Sequence, residues 1–358
     1  MHRSTLFVYR SVAAAGLVVA VVACSSDNTP TVPVLSTSYA ETKLVADDPS
    51  LGAATVDPNL VNAWGLAFSS GGTLWVSDNG TSLATLYDGT GAKLSLVVGV
   101  PQAGGSPGGK PTGQVFNSTT DFPINGGNKA LFIYASEDGT ISAWNQGSGT
   151  TAQIVADRSA NDAVYKGLAI ASNGGANFLY ATNFKGNSVD KFDKNFAYVS
   201  SFTDTSVPSG YGPFGIHTIN GQLYVTFAKQ KGPDNEDDEA GVGNGFVDIF
   251  NPDGTLVKRF ASSGRLNSPW AVVAAPADFG SAGGDILIGN FGDGLIGAYD
   301  ATSGAFRGFL HDSNNASLVI PGLWDLQFGV GSAPASSLYF SAGPDDETHG
   351  LLGTLTAQ

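Results

Sequence analysis

The sequence predicts an all-β fold, a six-bladed β-propeller, and three observations carry that prediction. One pattern recurs six times: a small turn ending near Gly, an apolar strand, a second strand closing on a polar turn, and a third strand closing on an apolar–acid pair. Its anchors, Gly65, Gly113, Gly167, Gly215, Ala271 and Leu323, are spaced by roughly 48 to 56 residues, a propeller period. The chain also holds 48 Gly, which lose the most backbone freedom inside a helix and suit turns between many short strands. Finally, 42% hydrophobic content over 358 residues is ample for a large core.

The elements follow in chain order. Residues 1–23 read as a signal peptide: His2, Arg3 and Arg10 precede an apolar run from Val12 to Ala23 that is too short for a permanent membrane span. The run ends Val21-Val22-Ala23-Cys24-Ser25, which resembles the bacterial lipoprotein cleavage motif and implies lipid on Cys24. A plain secretion signal with an incidental Cys is the other reading. The chain has one Cys, at this position, which favours lipidation and suits an oxidising compartment. By the same resemblance, Ser25 after the Cys implies sorting to the outer membrane, so the expected location is the bacterial cell envelope. Residues 24–40, rich in Ser, Thr and Pro, then form the lipidated Cys and a flexible tether, and residues 41–358 form the propeller.

Within the propeller, second strands are expected at 74–78, 131–136, 178–183, 223–228, 285–290 and 338–342. Third strands follow at 84–88, 140–145, 188–193, 245–250, 295–300 and 350–355. Outer fourth strands fit 93–98, 152–157, 198–203, 256–261 and 306–310, which leaves the sixth blade without one. The segment Thr42-Lys-Leu-Val-Ala-Asp47 closely matches Gln153-Ile-Val-Ala-Asp157, an outer strand. The N-terminal segment is therefore expected to pair onto the last blade and close the ring, removing an open sheet edge. Two segments break the repeat: a Gly/Pro-rich loop over 99–111 and an acidic insertion over 229–245 in blade four.

The net charge of -14 and the low share of Lys and Arg exclude nucleic acid as a partner, since a phosphate backbone needs clustered cations. In a propeller, the loop entering each first strand and the loop joining the second strand to the third open on one face, around the channel mouth. Expected there as ligand-binding residues are Asn62, Asp78, Asn79, Glu137, Asp138, Lys166, Asn183, His217, Lys229, Gln230, Asn290, Asp293, Asp345 and Glu347. Trp64, Trp270 and Trp324 recur at one repeat position and are expected to pack between blades. Asp-Asn-Gly (78–80), Glu-Asp-Gly (137–139) and Gly-Asp-Gly (292–294) also satisfy tight hairpins, where Asn, Asp and Gly tolerate positive φ. Three of the four His lie in separate blades and the fourth in the signal, which argues against zinc. Calcium accepts carboxylate and amide oxygens in looser geometry, and Glu137, Asn183, Asn290 and Asp345 are the candidate ligands. The acidic run 234–239 lacks the Gly of an EF-hand loop and reads as a solvated loop. No Ser–His–Asp order stands out.

Several stretches carry a resemblance. Asn62-Ala-Trp-Gly-Leu-Ala-Phe68, Trp75-Val-Ser-Asp-Asn-Gly80, Val164-Tyr-Lys-Gly-Leu-Ala169, Gly289-Asn-Phe-Gly-Asp-Gly294 and Leu338-Tyr-Phe-Ser-Ala-Gly-Pro344 resemble a family of secreted bacterial propellers, some with a PEP-CTERM sorting tail that this chain lacks. The match spans about residues 41–356. More distantly the blades are similar to NHL-repeat and gluconolactonase-type propellers, and the latter resemblance implies a calcium ion held by Glu, Asn and Asp at the channel mouth. Two functions follow as expectations. One is a monomeric envelope lipoprotein whose propeller binds a protein, a glycan or a small polar ligand. The alternative is a calcium-dependent hydrolase or lyase acting at the mouth.

Overall fold

Four-stranded antiparallel sheets repeat around one axis in the computed structural model, which describes residues 33–358. The signal peptide and Cys24 lie outside the described residues. Blade one is Ala63–Phe68, Leu74–Asp78, Leu83–Tyr87 and Lys93–Gly99; blade two is Pro111–Phe116, Phe132–Ser136, Thr140–Trp144 and Gln153–Asp157. Blade three is Tyr165–Asn173, Ala176–Asn183, Ser188–Phe192 and Tyr198–Phe202; blade four is Tyr211–Ile219, Gln222–Lys229, Gly245–Phe250 and Leu256–Ser262. Blade five is Pro269–Ala274, Ile286–Asn290, Ile296–Tyr299 and Phe306–Phe309. Blade six supplies Leu323–Phe328, Leu338–Ala342 and Leu351–Ala357, and its fourth strand is Tyr39–Ala46 from the other end of the chain. First strands of successive blades adjoin all the way round, blade six against blade one included.

The anchor glycines exist because neighbouring first strands approach too closely for a side chain. A Cβ on Gly65 would lie 2.6 Å from the Thr112 carbonyl oxygen, and one on Gly113 would lie 2.5 Å from the Leu168 nitrogen. A Cβ on Gly215 would run into the Trp270 carbonyl. Each first strand also slips its register near its start, between Ala63 and Leu66 in blade one and between Leu323 and Leu326 in blade six. This equates Gly65 with Asp325, so the sixth anchor is Asp325 and not Leu323. Asp325 uses the extra volume: its Oδ2 accepts from the Leu66 N–H at 2.8 Å and joins blade six to blade one. Hydroxyls of the second strands stitch other gaps. Thr182 accepts from Gly167 N at 2.7 Å and donates to the Phe214 carbonyl at 2.6 Å. Ser341 accepts from Asp325 N and donates to the Trp64 carbonyl. Apolar faces fill the wedges between blades; Trp75 stacks on Phe132 with ring centroids 3.9 Å apart.

Ring closure follows the expected pairing, with Tyr39–Ala46 antiparallel to Leu351–Ala357. A two-residue strand, Thr55–Val56, adds in parallel outside it. The expected tether is shorter than residues 24–40. Val34 already bridges Phe309, Leu35 is buried, and Thr37 exchanges hydrogen bonds with Ser281 at 3.0 and 2.9 Å. The Ser/Thr-rich composition hid two apolar anchors, Leu35 and Tyr39.

Candidate functional site

The residue before each anchor points to the axis. These are Trp64, Thr112, Lys166, Phe214, Trp270 and Trp324, and all are buried. Trp64 stacks on Trp324 at 3.5 Å and 22°, Phe291 stacks on Trp324 at 4.0 Å, and Trp270 and Phe214 meet Trp324 edge-on at 6.1 and 5.8 Å. The tryptophans expected to pack between blades do pack across blades, on one another at the axis, and plug the channel. The register slip at the head of each first strand is the cause, since a bulge re-aims its residues.

Above the plug, one chain of hydrogen bonds crosses five blades. Trp324 Nε1 donates to Asn62 Oδ1 at 3.0 Å; Asn62 Nδ2 donates to Glu347 at 2.6 Å and to Asn79 at 3.3 Å. Asn79 Nδ2 donates to Glu137 Oε2 at 3.0 Å, and Lys166 Nζ donates to Glu137 Oε1 at 2.6 Å and to Asp237 at 3.4 Å. Lys166 also lies 5.1 Å from the Trp64 ring centroid. It stands in a position that Trp or Phe occupies in four other blades, so its ammonium must be matched by charge. Burial alone would push the Lys166 amine down, but Glu137 and Asp237 outweigh it and hold it above its ordinary value. Burial pushes Glu137 up, and Lys166 outweighs that, leaving it below the usual carboxylate range.

The acidic insertion is not a free solvated loop. Gln230 donates to the Phe184 carbonyl at 2.7 Å and pairs in a β-bridge with Asp238. Lys185 binds Glu236 at 2.9 Å and Asp162 at 2.8 Å, while Lys229 binds Glu239 at 2.6 Å out on the rim. The insertion thus lies over the edge of the mouth and brings Asp237 to Lys166. Asp238 is pushed above its usual range by burial.

Opposite the insertion, Asp345, Asp346 and Glu347 follow one another at φ 53°, 53° and 66°. Three consecutive non-glycine residues in the left-handed region are strained, by roughly 1–2 kcal/mol each. The turn is pinned by Glu347 N to Gly343 O at 3.2 Å and by the Asn62 contact. It turns these carboxylates into a cavity of about 640 Å³ also lined by Asp237, Asp238, Asp293, Lys166, Lys231, Trp64, Trp324 and Phe291. A neighbouring cavity of about 630 Å³ lies over Asn62, Asn79, Glu137 and Asp138.

Other expected residues lie elsewhere. Asp78 is fully buried below the mouth, and burial raises its carboxyl well above the usual range. Asp138 is taken by its own turn and by the Ala103 N–H of the Gly/Pro-rich loop at 2.6 Å. Asn183 Oδ1 accepts from Val164 N and Gly186 N, and Asn290 bonds the Asn267 N–H and the Arg265 carbonyl. Glu137 is held by Lys166 and Asn79. Among the described residues no group of three or more acidic, His or Cys side chains is arranged for a metal. Asp293 is held by Asn267 Nδ2 at 3.1 Å on the mouth. His217 is not at the mouth at all but below the plug, in T-shaped contact with Trp270 at 5.6 Å. Asp237, Asp238 and Asp346 were not among the expected ligand-binding residues, although the insertion that holds the first two stood out as a break in the repeat. No helix among the described residues is long and apolar enough to cross a membrane.

No family model matches the chain. "Uncharacterized protein R648" of Acanthamoeba polyphaga mimivirus is 33% identical over 319 residues, covering 85% of this chain and 76% of that protein. "Uncharacterized protein L690" of the same virus is 35% identical over 322 residues, covering 85% and 82%. These relatives are viral, where the motifs had suggested a bacterial family. Among solved structures, virginiamycin B lyase from Staphylococcus aureus, crystallised with quinupristin, superposes with TM-score 0.54 at 13% identity over 89% of this chain and 99% of that one. A gluconolactonase from Xanthomonas campestris superposes with TM-score 0.51 at 14% identity over 84% and 87%. At such identities the likeness establishes the propeller fold alone, whereas the similarity to the viral proteins extends along most of both sequences. The chain belongs to the family of propeller proteins that includes mimivirus R648 and L690.

Proposed function

We propose that this protein is an envelope-anchored binding propeller that takes a small polar ligand bearing an amine at its channel mouth. The observation that carries this reading is the strained Asp345–Glu347 turn. Strain of this kind persists where the surrounding structure holds it and clusters at ligand clamps. The cavity it faces is lined by six carboxylates (Asp237, Asp238, Asp293, Asp345, Asp346, Glu347) against two lysines. Burial raises Glu347, with Asn62 and Lys166 opposing, so its charged form lacks full compensation and gains from an incoming cation. The calcium-dependent hydrolase or lyase reading draws no support from Asn183 and Asn290, which are committed to their own turns. The anchor rests on the Cys24 motif and Ser25, and with it the placement of a bacterial lipoprotein at the outer membrane.

Calorimetric titration with spermidine, and with maltose as an uncharged probe, tests the mouth. Spermidine binding should weaken about tenfold or more in Asp345→Asn/Glu347→Gln, and weaken with added salt. Absence of spermidine binding, or equal affinity in that variant, would overturn the reading. The anchor has a separate test: Cys24→Ser should move the protein from the membrane to the soluble fraction, and unchanged membrane retention would count against it.

A further inference from the structure

Below the aromatic plug, the six first strands enclose a second chamber of about 450 Å³, independent of the mouth. The strands run from the mouth toward the opposite face, so the chamber follows their later residues, from Trp270 to Ala274 in blade five and from Asp325 to Phe328 in blade six. Its walls mix apolar side chains, Ala67, Val115, Leu168, Ile216 and Val272 among them, with polar ones. Six polar side chains share those walls, Gln114, His217, Thr218, Trp270, Asp325 and Gln327.

Three of these carry a buried polar atom that has no partner among the described residues: Gln114 Oε1, His217 Nε2 and Trp270 Nε1. Gln114 is oriented by its own amide, whose Nε2 donates to the Gly65 and Trp75 carbonyls at 2.5 and 2.9 Å. That leaves its oxygen without a partner at the chamber wall. Trp270 Nε1 can only donate, and the neutral imidazole can do either. His217 Nε2 lies 3.9 Å from Asp325 Oδ1, too far for a hydrogen bond. Buried polar groups are costly to leave unpaired, so three in one chamber need an explanation.

We infer that the lower chamber is a second binding site, for an uncharged small molecule with an apolar body and a hydroxyl or amide head. Such a head donates and accepts at once, which matches an isolated acceptor and donor set beside an imidazole. No Lys or Arg lines the chamber, so an anion finds no counter-charge. A cation finds none ready either. Both Asp325 oxygens already accept backbone N–H groups, from Leu66 at 2.8 Å and Leu326 at 2.7 Å. Burial pushes Asp325 up to about 7 and His217 down to about 4, so both groups are held toward their neutral forms. The walls and volume suit an apolar body of benzyl size or somewhat larger.

The five tryptophans give five indole N–H resonances in a nitrogen-labelled sample, and Trp270→Phe assigns the relevant one. Benzyl alcohol, benzamide, toluene, benzoate and benzylammonium are then titrated as probes of one shape and different heads. Benzyl alcohol and benzamide should shift the Trp270 signal to saturation, with affinity about fivefold above toluene, the worth of roughly one net hydrogen bond. The two charged probes should bind weaker than toluene. Ala67→Leu, which fills the chamber, should abolish the shift; if it does not fold, His217→Leu is read instead and should erase the preference for alcohol over toluene. A Trp270 signal that no probe moves, equal affinity for toluene and benzyl alcohol, or a shift that survives both variants would each overturn the proposal.

Discussion

Lys166→Met isolates the charge at the centre of the mouth, because it keeps the stem of the side chain and removes the ammonium. Glu137 then loses its 2.6 Å ion pair and retains only the Asn79 donor at 3.0 Å. Breaking a fully buried pair costs about 3–5 kcal/mol, since the surviving charge is left desolvated. Here Lys166 is 2% exposed but Glu137 keeps 24%, so water relieves part of the penalty and the lower end, about 3 kcal/mol, applies. An unfolding entropy of about 2.1 cal/mol/K per residue over some 320 residues gives roughly 0.7 kcal/mol per degree, so Tm should fall by about 4 °C. The sign with pH is fixed by Glu137. In the native protein its carboxyl lies below the usual range, so its contribution is present above that range and lost as pH falls through the lowered value. Without Lys166, burial dominates and the carboxyl rises, so the penalty is greatest at neutral pH and shrinks in acid. Lys166→Met/Glu137→Gln removes the orphaned charge and should recover most of the loss. Thermal melts of all four proteins at pH 7 and pH 4 complete the cycle. A single variant that melts within a degree of the parent at pH 7, or a double variant whose loss equals the sum of the singles, would refute the reasoning.

Other perturbations address the scaffold. Gly215→Ala drives a Cβ into the Trp270 carbonyl and should cost about 3 kcal/mol, whereas Gly71→Ala, whose Cβ would meet nothing nearer than 3.9 Å, should stay within about 0.5 kcal/mol. Chemical denaturation of both checks this, and equal losses would reject the close-approach account. Asp78→Asn should raise Tm at pH 8 and give no gain at pH 4. Burial favours the neutral acid in the fold, so the native protein loses stability as pH rises from the usual carboxylate range toward the raised value; a gain independent of pH would contradict it. A chain beginning at Asp47 loses the burial of Leu35, Tyr39, Leu44 and Val45, on the order of 8 kcal/mol, and bares the edge of Leu351–Ala357. It should aggregate without a cooperative melt while a chain beginning at Pro33 melts normally; cooperative melting of the shorter chain would reject ring closure as the source of stability.

Much of the scaffold was legible because its signals are local. Leu74–Asp78, Gly245–Phe250 and Leu338–Ala342 match the expected strands residue for residue, since β-formers end on turn residues at both sides. The closing strand was legible too, through its likeness to the outer strand of blade two. Side-chain direction at the head of the first strands was not. A register slip there decides which residue faces the axis, and it leaves no mark on an apolar–polar pattern. His217 lies only three positions after Phe214, yet at about 3.3 Å per residue that is far enough to pass from one side of the plug to the other. Asn183 and Asn290 hold their own turns, and an amide that caps a hairpin occupies the same sequence slot as one that faces a ligand. Lys166 could be singled out from sequence, but its partner Asp237 lies in an insertion with no repeat to align it.

Closing the ring with the first strand also imposes an order in time. Tyr39 is paired with Ala357, which is synthesised 318 residues later (357 − 39). Blades one to five can assemble as they emerge, each completed by its own following strand, but Tyr39–Ala46 must wait until Leu351–Ala357 is made. Until then, two partly formed blade edges stand open, and such slow, long-range pairing is where aggregation competes with folding. Because Tyr39–Ala46 and Leu351–Ala357 share one blade, a circular permutant of residues 33–358 that joins residue 358 to residue 33 and opens between two other blades would complete every sheet in sequence order. Its yield of refolded protein should exceed that of the parent.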